Sequence, residues 1–261
     1  MDLTMIRRAA LRVSAGLMLS AAFSVPAFAQ TVQLTESNAT VIRGGSYANT
    51  NFSKDLILTT RASDDAAYER RSLLKFDTEN TIPSNSQVSS AKLTLTVAGG
   101  NALSRQISAY RISDSYEELE STWKIRKAST TWSNAGGDYA EKWASATVTN
   151  SVGSRVSFDV TALVQAAVKG QFGSSRYTRI ALVDAGGSSK DSYKEYYSND
   201  AADVSVRPVL TVTYGSTTTT SSSTTTGGVK LRVLQWNIHH GVGTDGKYTV
   251  VGSVGGAERE S

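Results

Sequence analysis

The chain contains no cysteine, so neither a disulfide nor a thiolate metal site can stabilise it. It also has only two histidines, His239 and His240, and both lie near its C-terminal end. Residues 30–215 therefore contain no histidine, which excludes Ser-His and Cys-His nucleophilic chemistry from that region. The fold of this region must rest on its apolar core, and a domain of roughly 185 residues is large enough to build one.

A large charge of one sign is also absent. The formal net charge is +4, of which residues 1–29 contribute +2 and residues 229–261 contribute +1. About +1 remains for the region between them, which is too little for a general attraction to nucleic acid or to an anionic membrane. We therefore expect no nucleic-acid partner for this chain.

Residues 1–29 are predicted to be a secretion signal. Three arginines, Arg7, Arg8 and Arg12, accompany an apolar stretch that is interrupted by Ser and Gly, and the segment ends on the cleavage sequence Ala27-Phe28-Ala29. A membrane anchor is the alternative, but the apolar stretch is short and the cleavage sequence follows directly. We expect a mature protein that begins at Gln30, is secreted (extracellular or periplasmic), and has no membrane contact after signal cleavage.

A run of eleven Ser and Thr residues, 216–226, is followed by Gly227-Gly228 and divides the rest of the chain. Such a segment buries nothing apolar and cannot offset its ordering entropy, so residues 216–228 are predicted to be a flexible linker. The linker separates a module at 30–215 from a shorter C-terminal piece at 229–261.

The module is predicted to be all-β. Short strand signals, several alternating apolar and polar residues, recur between Gly-rich turns at 33–41, 56–60, 72–76, 92–97, 107–112, 155–160, 178–183 and 209–214. One segment after Asp159 has helical spacing and ends before Gly170. The pattern favours a jelly-roll-like β-sandwich with one short helix, followed by a flexible Ser/Thr linker and an incomplete C-terminal fragment. We expect a monomer.

Several motifs of the module resemble those of secreted DNRLRE-type domains, which form carbohydrate-binding module family 96. They are RRSLLKFD at 70–77, IP at 82–83, VSSAKL at 88–93, STW at 121–123, VSFDVT at 156–161 and RPVLTV at 207–212. The resemblance implies a non-catalytic jelly-roll module that is attached to polysaccharide-degrading enzymes. It also implies a polysaccharide ligand, with acidic glycans such as alginate as the suggested class.

Basic and aromatic residues are the candidate ligand-binding groups, because aromatic faces pack on sugar C–H groups while Arg and Lys pair with sugar carboxylates. If Leu74 and Phe76 face the core, Arg71, Leu73 and Lys75 lie on the opposite face of the same strand and could line a groove. The alternative is that these basic residues are ordinary solvated strand positions without a ligand. For Tyr193 the alternative is a position in the core. The candidates are Arg43, Tyr47, Tyr68, Arg70, Arg71, Lys75, Lys190 and Tyr193.

Other residues of the module suggest weaker hypotheses. Asp64 and Asp65 are candidate ligands for a structural calcium ion, since calcium prefers carboxylate oxygens. Neighbouring acids point apart, so glycoside hydrolysis by such a pair is not expected. Trp123, Trp132 and Trp143 are expected to anchor an irregular connection on the sandwich, although an exposed one would be a sugar platform.

The C-terminal piece carries a second resemblance. KLRVLQWNIHHG at 230–241 is similar to the first strand of the endonuclease/exonuclease/phosphatase family, in which the position of Asn237 belongs to the metal and phosphate site. The other groups needed for metal-assisted hydrolysis are missing, so we expect a truncated fragment at 229–261 and no enzyme in this chain. Magnesium would serve only an intact C-terminal domain. A metal-dependent nuclease or phosphatase in a longer gene product, and a structural or adhesive surface domain, remain the alternative functions.

Overall fold

The computed structural model describes residues 29–36, 38–184 and 192–216. The predicted signal before Ala29, Lys190, most of the linker and the fragment with Asn237 lie outside these ranges. In the described part, eleven strands form one antiparallel sheet, which curls so that its two halves enclose a common core. This architecture confirms the predicted all-β sandwich.

The strands have the following bounds: β1 (Ala29–Thr35), β2 (Asn38–Arg43), β3 (Ile57–Arg61), β4 (Arg70–Phe76), β5 (Ser86–Gly100), β6 (Arg105–Ile112), β7 (Ile125–Lys127), β8 (Thr130–Thr131), β9 (Tyr139–Val148), β10 (Arg155–Asp159), β11 (Thr178–Asp184), β12 (Tyr193–Tyr197) and β13 (Val209–Ser216). The α-helices are α1 (Thr78–Thr81) and α2 (Thr161–Val168). Three 3₁₀ turns lie at Gly45–Tyr47, Ala66–Tyr68 and Val204–Val206.

The long strand β5 joins the two halves of the sheet. In the first half the order is β1-β13-β5, and β10 also pairs with β5. The second half continues from β5 as β12-β3-β4-β11-β6-β9, with β2 also paired to β4. The strands β7 and β8 form a separate hairpin.

Alternation along the strands produces the core. On β5 the side chains of Leu93 and Leu95 are fully buried, and they share one apolar cluster with Leu74, Leu182 and Phe158 of other strands. The cluster therefore receives side chains from both halves of the sheet, as a sandwich requires.

Helix α2 is the short helix that the sequence predicts. Asp159 Oδ1 accepts a hydrogen bond from the Thr161 backbone N–H at 3.1 Å, which satisfies one of the free donors at the start of the helix. Gly170, with a φ of +68°, follows the helix in the left-handed conformation that glycine adopts without strain. The additional helix α1 has a single turn and was not predicted.

One strand prediction was wrong, and the strands β7, β8 and β9 were not predicted. Residues 33–41 form not one strand but two, because β1 pairs with β13 in the first half whereas β2 pairs with β4 in the second. Strand β9 was missed because its sequence, YAEKWASATV, is rich in Ala and charged residues that have little intrinsic preference for strands. Its pairing with β6 holds it in the sheet.

An insertion at residues 113–138, between β6 and β9, covers part of the outer surface of the second half. Tyr116, Trp123 and Trp132 of the insertion pack against Ile42 and Leu73 in a second buried cluster. Trp123 and Trp132 therefore anchor the insertion, as the sequence predicts. None of the helices in the described ranges is long and apolar enough to cross a membrane.

Candidate functional site

Three arginines lie side by side where β2, β4 and β3 meet. The strand register places Arg70 of β4 opposite Arg43 of β2 and also opposite Arg61 of β3. We call Arg43, Arg70 and Arg61 the arginine row. Like charges on directly opposed strand positions repel each other, so the fold alone gains nothing from this arrangement.

The two neighbouring arginines affect the electrostatics of Arg70. Burial is the main cause that lowers the pKa of Arg70, and the neighbouring charges of Arg43 and Arg61 lower it further. Glu195 on β12 opposes this effect. An anionic ligand beside Arg70 would oppose the charges of Arg43 and Arg61, as Glu195 does.

Two exposed tyrosines stand beside the row. Tyr47 is 51% exposed and Tyr68 is 53% exposed, although large aromatic side chains are usually well buried. The Arg61 guanidinium carbon lies 5.2 Å from the centre of the Tyr68 ring. The Tyr47 ring meets Phe52 edge-on at 6.0 Å, so both rings are held by packing and keep a face available to a ligand.

The two 3₁₀ turns that carry these tyrosines pack closely together. Gly45 has a φ of +63°, and a Cβ atom there would lie 2.6 Å from the Ala67 Cα. Only glycine allows this approach without strain. The Gly44 backbone N–H also donates to the Glu69 carbonyl at 3.1 Å, so the spacing of Tyr47 and Tyr68 is fixed by the backbone.

Arg43 is oriented by its neighbours. Its Nη2 donates to Asp55 Oδ2 at 2.8 Å, and its guanidinium carbon lies 4.0 Å from the centre of the Phe52 ring. Its buried Nε has no hydrogen-bond partner in the described part of the chain. The guanidinium is held in place while 20% of the Arg43 side chain stays exposed, and its planar fork has the geometry that pairs with carboxylates.

Strand β12 extends the site. Tyr193 is half-buried and pairs with Arg61 in the β12–β3 register. Of the eight candidates from the sequence, Arg43, Tyr47, Tyr68, Arg70 and Tyr193 thus come together here. Lys190 lies outside the described residues.

Arg71 does not belong to this group. Its Nη1 donates to the Gly136 carbonyl at 2.6 Å and its Nη2 pairs with Glu69 at 2.9 Å. Its guanidinium carbon also lies 4.7 Å from the Trp123 ring and 5.0 Å from the Tyr139 ring. With only 14% of its side chain exposed, Arg71 fastens the insertion to the sheet.

Arg71→Ala is expected to destabilise the protein by about 2–4 kcal/mol, because it removes two charge-assisted hydrogen bonds and two cation–π contacts. Arg71→Lys should not restore this stability, since an ammonium group cannot make the same planar contacts. Urea unfolding measures the effect. An unchanged unfolding midpoint together with a large loss of ligand affinity would instead place Arg71 in the binding surface.

Lys75 is also separate from the arginine row. Its Nζ lies 5.9 Å from the centre of the Tyr116 ring and 5.6 Å from that of Tyr177. Burial lowers the pKa of Lys75, and the charge of Glu117 opposes this. These contacts lie near the insertion, at the end of β4 opposite to Arg70.

Asp64 and Asp65, the calcium ligands predicted from the sequence, do not form a cluster of carboxylates in the described part of the chain. Asp65 Oδ1 accepts from the Ala67 backbone N–H at 2.9 Å and caps the turn that carries Tyr68, while Asp64 is exposed. In the described ranges, no group of three or more His, Cys, Asp or Glu side chains is arranged to hold a metal ion. A calcium ion at Asp64 and Asp65 stays a prediction.

Arg61, Phe52 and Asp55 were missed by the sequence analysis. Arg61 is the last residue of β3 and lies just beyond the strand that the sequence predicts at 56–60. Its place in the row depends on the pairing of β3 with β4, which is limited to the single pair Arg61 and Arg70. No local pattern in the sequence shows a pairing of this kind.

The sandwich carries a row of half-buried arginines beside two exposed tyrosines, an arrangement that a binding module could use. A sequence profile described as carbohydrate-binding module family 96 matches residues 30–214, and the chain belongs to this family. The matched region is thus a carbohydrate-binding module.

Two other comparisons add nothing to this assignment. No curated protein matches the chain. Among solved structures, a chain from the cryo-EM structure of Mud crab tombus-like virus is similar, with 12% sequence identity, coverage of 82% of this chain and 91% of that chain, and a TM-score of 0.21. A TM-score this low carries no argument about fold or function.

Proposed function

We propose that the module binds acidic polysaccharides, such as alginate, across the arginine row and the two exposed tyrosines. The observation that supports this most directly is the alignment of Arg43, Arg70 and Arg61 across three strands beside Tyr47 and Tyr68. Carboxylates spaced along a glycan would accept hydrogen bonds from the guanidinium groups, and the tyrosine faces would pack on sugar C–H groups.

Affinity electrophoresis of the chain in gels containing alginate, polygalacturonate or neutral polysaccharides tests this proposal. We expect retardation in the acidic gels that weakens as salt is raised, because the attraction between exposed charges is screened. Equal retardation in neutral gels would limit the proposal to carbohydrate binding without acid selectivity. No retardation in any gel would favour a structural or adhesive domain.

The tyrosines are expected to contribute through their ring faces. Tyr47→Ala and Tyr68→Ala should each weaken glycan binding by about 2- to 10-fold, since aromatic contacts are worth about 0.5–1.5 kcal/mol. Tyr47→Phe and Tyr68→Phe keep the ring and should retain most of the affinity. Isothermal titration calorimetry makes the comparison, and a Phe variant as weak as its Ala counterpart would assign the contribution to the hydroxyl group instead.

We also propose that the module is exported and that its linker tethers it to a phosphoesterase-type domain. The A-x-A sequence at 27–29, the Ser/Thr run and the KLRVLQWNIHHG motif support this arrangement. A tethered module would raise the concentration of its partner near the glycan without changing the partner's chemistry. Magnesium-dependent phosphodiester cleavage by the product of the complete reading frame would support the tether, and its absence would oppose it.

A further inference from the structure

A buried carboxylate without hydrogen-bond partners lies between β1 and β2. Glu36 is only 7% exposed, and neither of its carboxylate oxygens accepts a well-formed hydrogen bond in the described part of the chain. Burial is the main cause that raises the pKa of Glu36 to about 7; its own backbone N–H and Arg207 partly offset the effect, while Glu118 and Asp200 add to it. An unpaired buried carboxylate is costly, so native proteins normally neutralise it with a proton, a cation or a metal ion.

Further oxygen acceptors without partners lie in the segment after β12, and the charge of one of these residues, Asp200, acts on Glu36. Asn199 Oδ1 and Asp200 Oδ2 are buried, and neither makes a hydrogen bond within the described ranges. Glu118 completes the group, since its Oε1 accepts from the Asn199 Nδ2 at 3.3 Å and from the Ala39 backbone N–H at 3.1 Å. The atoms left over are all oxygen acceptors, so these residues cannot satisfy one another by hydrogen bonds.

The charges of this group also favour a cation. The charges of Glu118 and Asp200 raise the pKa of Glu36, whereas the guanidinium of Arg207 lowers it. Arg207 directs its Nε to the Ala201 carbonyl at 2.8 Å, so this donor is already used. The carboxylates that act on one another here outnumber the guanidinium, which favours a bound cation.

We propose that Glu36, Asn199 and Asp200 bind one calcium ion, with Glu118 beside it. Calcium takes roughly six to eight oxygen ligands in flexible geometry and accepts amide oxygens and water, whereas zinc prefers nitrogen and sulfur. In the described ranges no three carboxylate or histidine side chains are arranged to hold a metal on their own. An ion bound here would also use the Asn199 amide oxygen and water as ligands, and such a mixture suits calcium.

The ion would connect three segments that are distant in sequence. Glu36 belongs to the β1–β2 connection, Asn199 and Asp200 follow β12, and Glu118 belongs to the insertion. The loop with Phe52 and Asp55 is attached to the same place, because Asn51 Nδ2 donates to the Glu118 carbonyl at 2.7 Å and Ser198 Oγ donates to the Asp55 carbonyl at 2.7 Å. An ion that binds only the folded state stabilises it by mass action.

Thermal unfolding and calorimetric titration of the full chain with calcium test the proposal, and they do not depend on any glycan. After treatment with a chelator, calcium at 100 times its Kd should raise the Tm by roughly 5–10 °C with one ion bound per chain. Glu36→Gln and Asp200→Asn should each abolish the increase. Glu36→Gln should also raise the Tm of the calcium-free protein, because it replaces an unpaired buried charge with a neutral amide.

Two controls separate this site from its alternatives. Glu117→Gln changes an exposed carboxylate next to Glu118 in the chain and should leave the calcium effect intact. Loss of the effect in Asp64→Asn, but not in Glu36→Gln, would move the ion to the site predicted from the sequence and overturn the proposal. A titration of the wild type without heat or Tm change, or a calcium effect that persists in both Glu36→Gln and Asp200→Asn, would overturn it as well. If Glu36→Gln does not fold, Asp200→Asn alone decides the outcome.

Discussion

Arg70→Gln is expected to weaken the binding of a carboxylated polysaccharide by about 10- to 100-fold, because hydrogen bonds to charged groups contribute about 1.5–3 kcal/mol. Arg70 is the central member of the arginine row, with Arg43 and Arg61 opposite it on the neighbouring strands. Its loss would remove the middle donor and would also reduce the potential that attracts the glycan. Isothermal titration calorimetry at low and high salt measures the effect, and the difference between variant and wild type should narrow as salt is raised.

The stability of the Arg70 variant distinguishes a binding role from a structural one. Removing one of three adjacent like charges relieves repulsion, so the Tm should stay the same or increase. Lys92→Gln is a matched control, since Lys92 is exposed on β5 and the change removes the same charge. If Lys92→Gln lost as much affinity as Arg70→Gln, the effect of Arg70 would come from the net charge of the protein and not from a specific contact.

Asp184→Ala is expected to cause the largest loss of stability, about 3–5 kcal/mol, because it leaves buried cations without their counter-ion. Arg105 donates from Nε and Nη2 to the two oxygens of Asp184 at 2.8 and 2.7 Å, and both side chains are buried. Lys194 is fully buried nearby, with its Nζ bonded to the Asn101 carbonyl at 2.8 Å. Burial and the Arg105 charge lower the pKa of Lys194, and Asp184 opposes this.

Thermal unfolding should therefore show a decrease in Tm of roughly 6–20 °C for Asp184→Ala in a domain of this size. The exposed pair of Arg111 and Glu141, 3.3 Å apart with 62% of the Glu141 side chain exposed, provides the control. Glu141→Gln should leave the Tm nearly unchanged, because solvent screens such pairs. A similar Tm for Asp184→Ala and Glu141→Gln would mean that the buried network does not hold β6, β11 and β12 together.

The sequence predicts elements whose pattern is local. Strands such as β5 and β13 were expected because their apolar residues alternate, and α2 because its apolar residues have helical spacing between Asp159 and Gly170. The separation of β1 from β2 was not predicted, since residues 33–41 contain no Gly or Pro and the two strands differ in their pairing partners. Strand β9 was also not predicted, because its pairing with β6, and not its own sequence pattern, holds it in the sheet.

For the candidate site, the sequence also could not show which individual residues come together. Arg70 and Arg71 are adjacent and chemically identical, yet one joins the arginine row while the other is packed between Trp123 and Tyr139. Strand alternation predicts that they point apart, but not which side the insertion covers. The surroundings of Glu36 were also beyond prediction, because Glu118 and Asp200 come from segments far away in the sequence.

The most direct test of acidic-glycan recognition compares one oligosaccharide with its carboxyl-reduced form. Calorimetric titration of the chain with a uronic-acid oligosaccharide and with the same oligosaccharide reduced to its neutral hydroxymethyl form keeps the sugar faces and removes only the carboxylates. Since each carboxylate that pairs with an arginine contributes a charge-assisted hydrogen bond, we expect the reduced form to bind at least about 10-fold more weakly. Equal affinity for the two forms would contradict recognition by the arginine row.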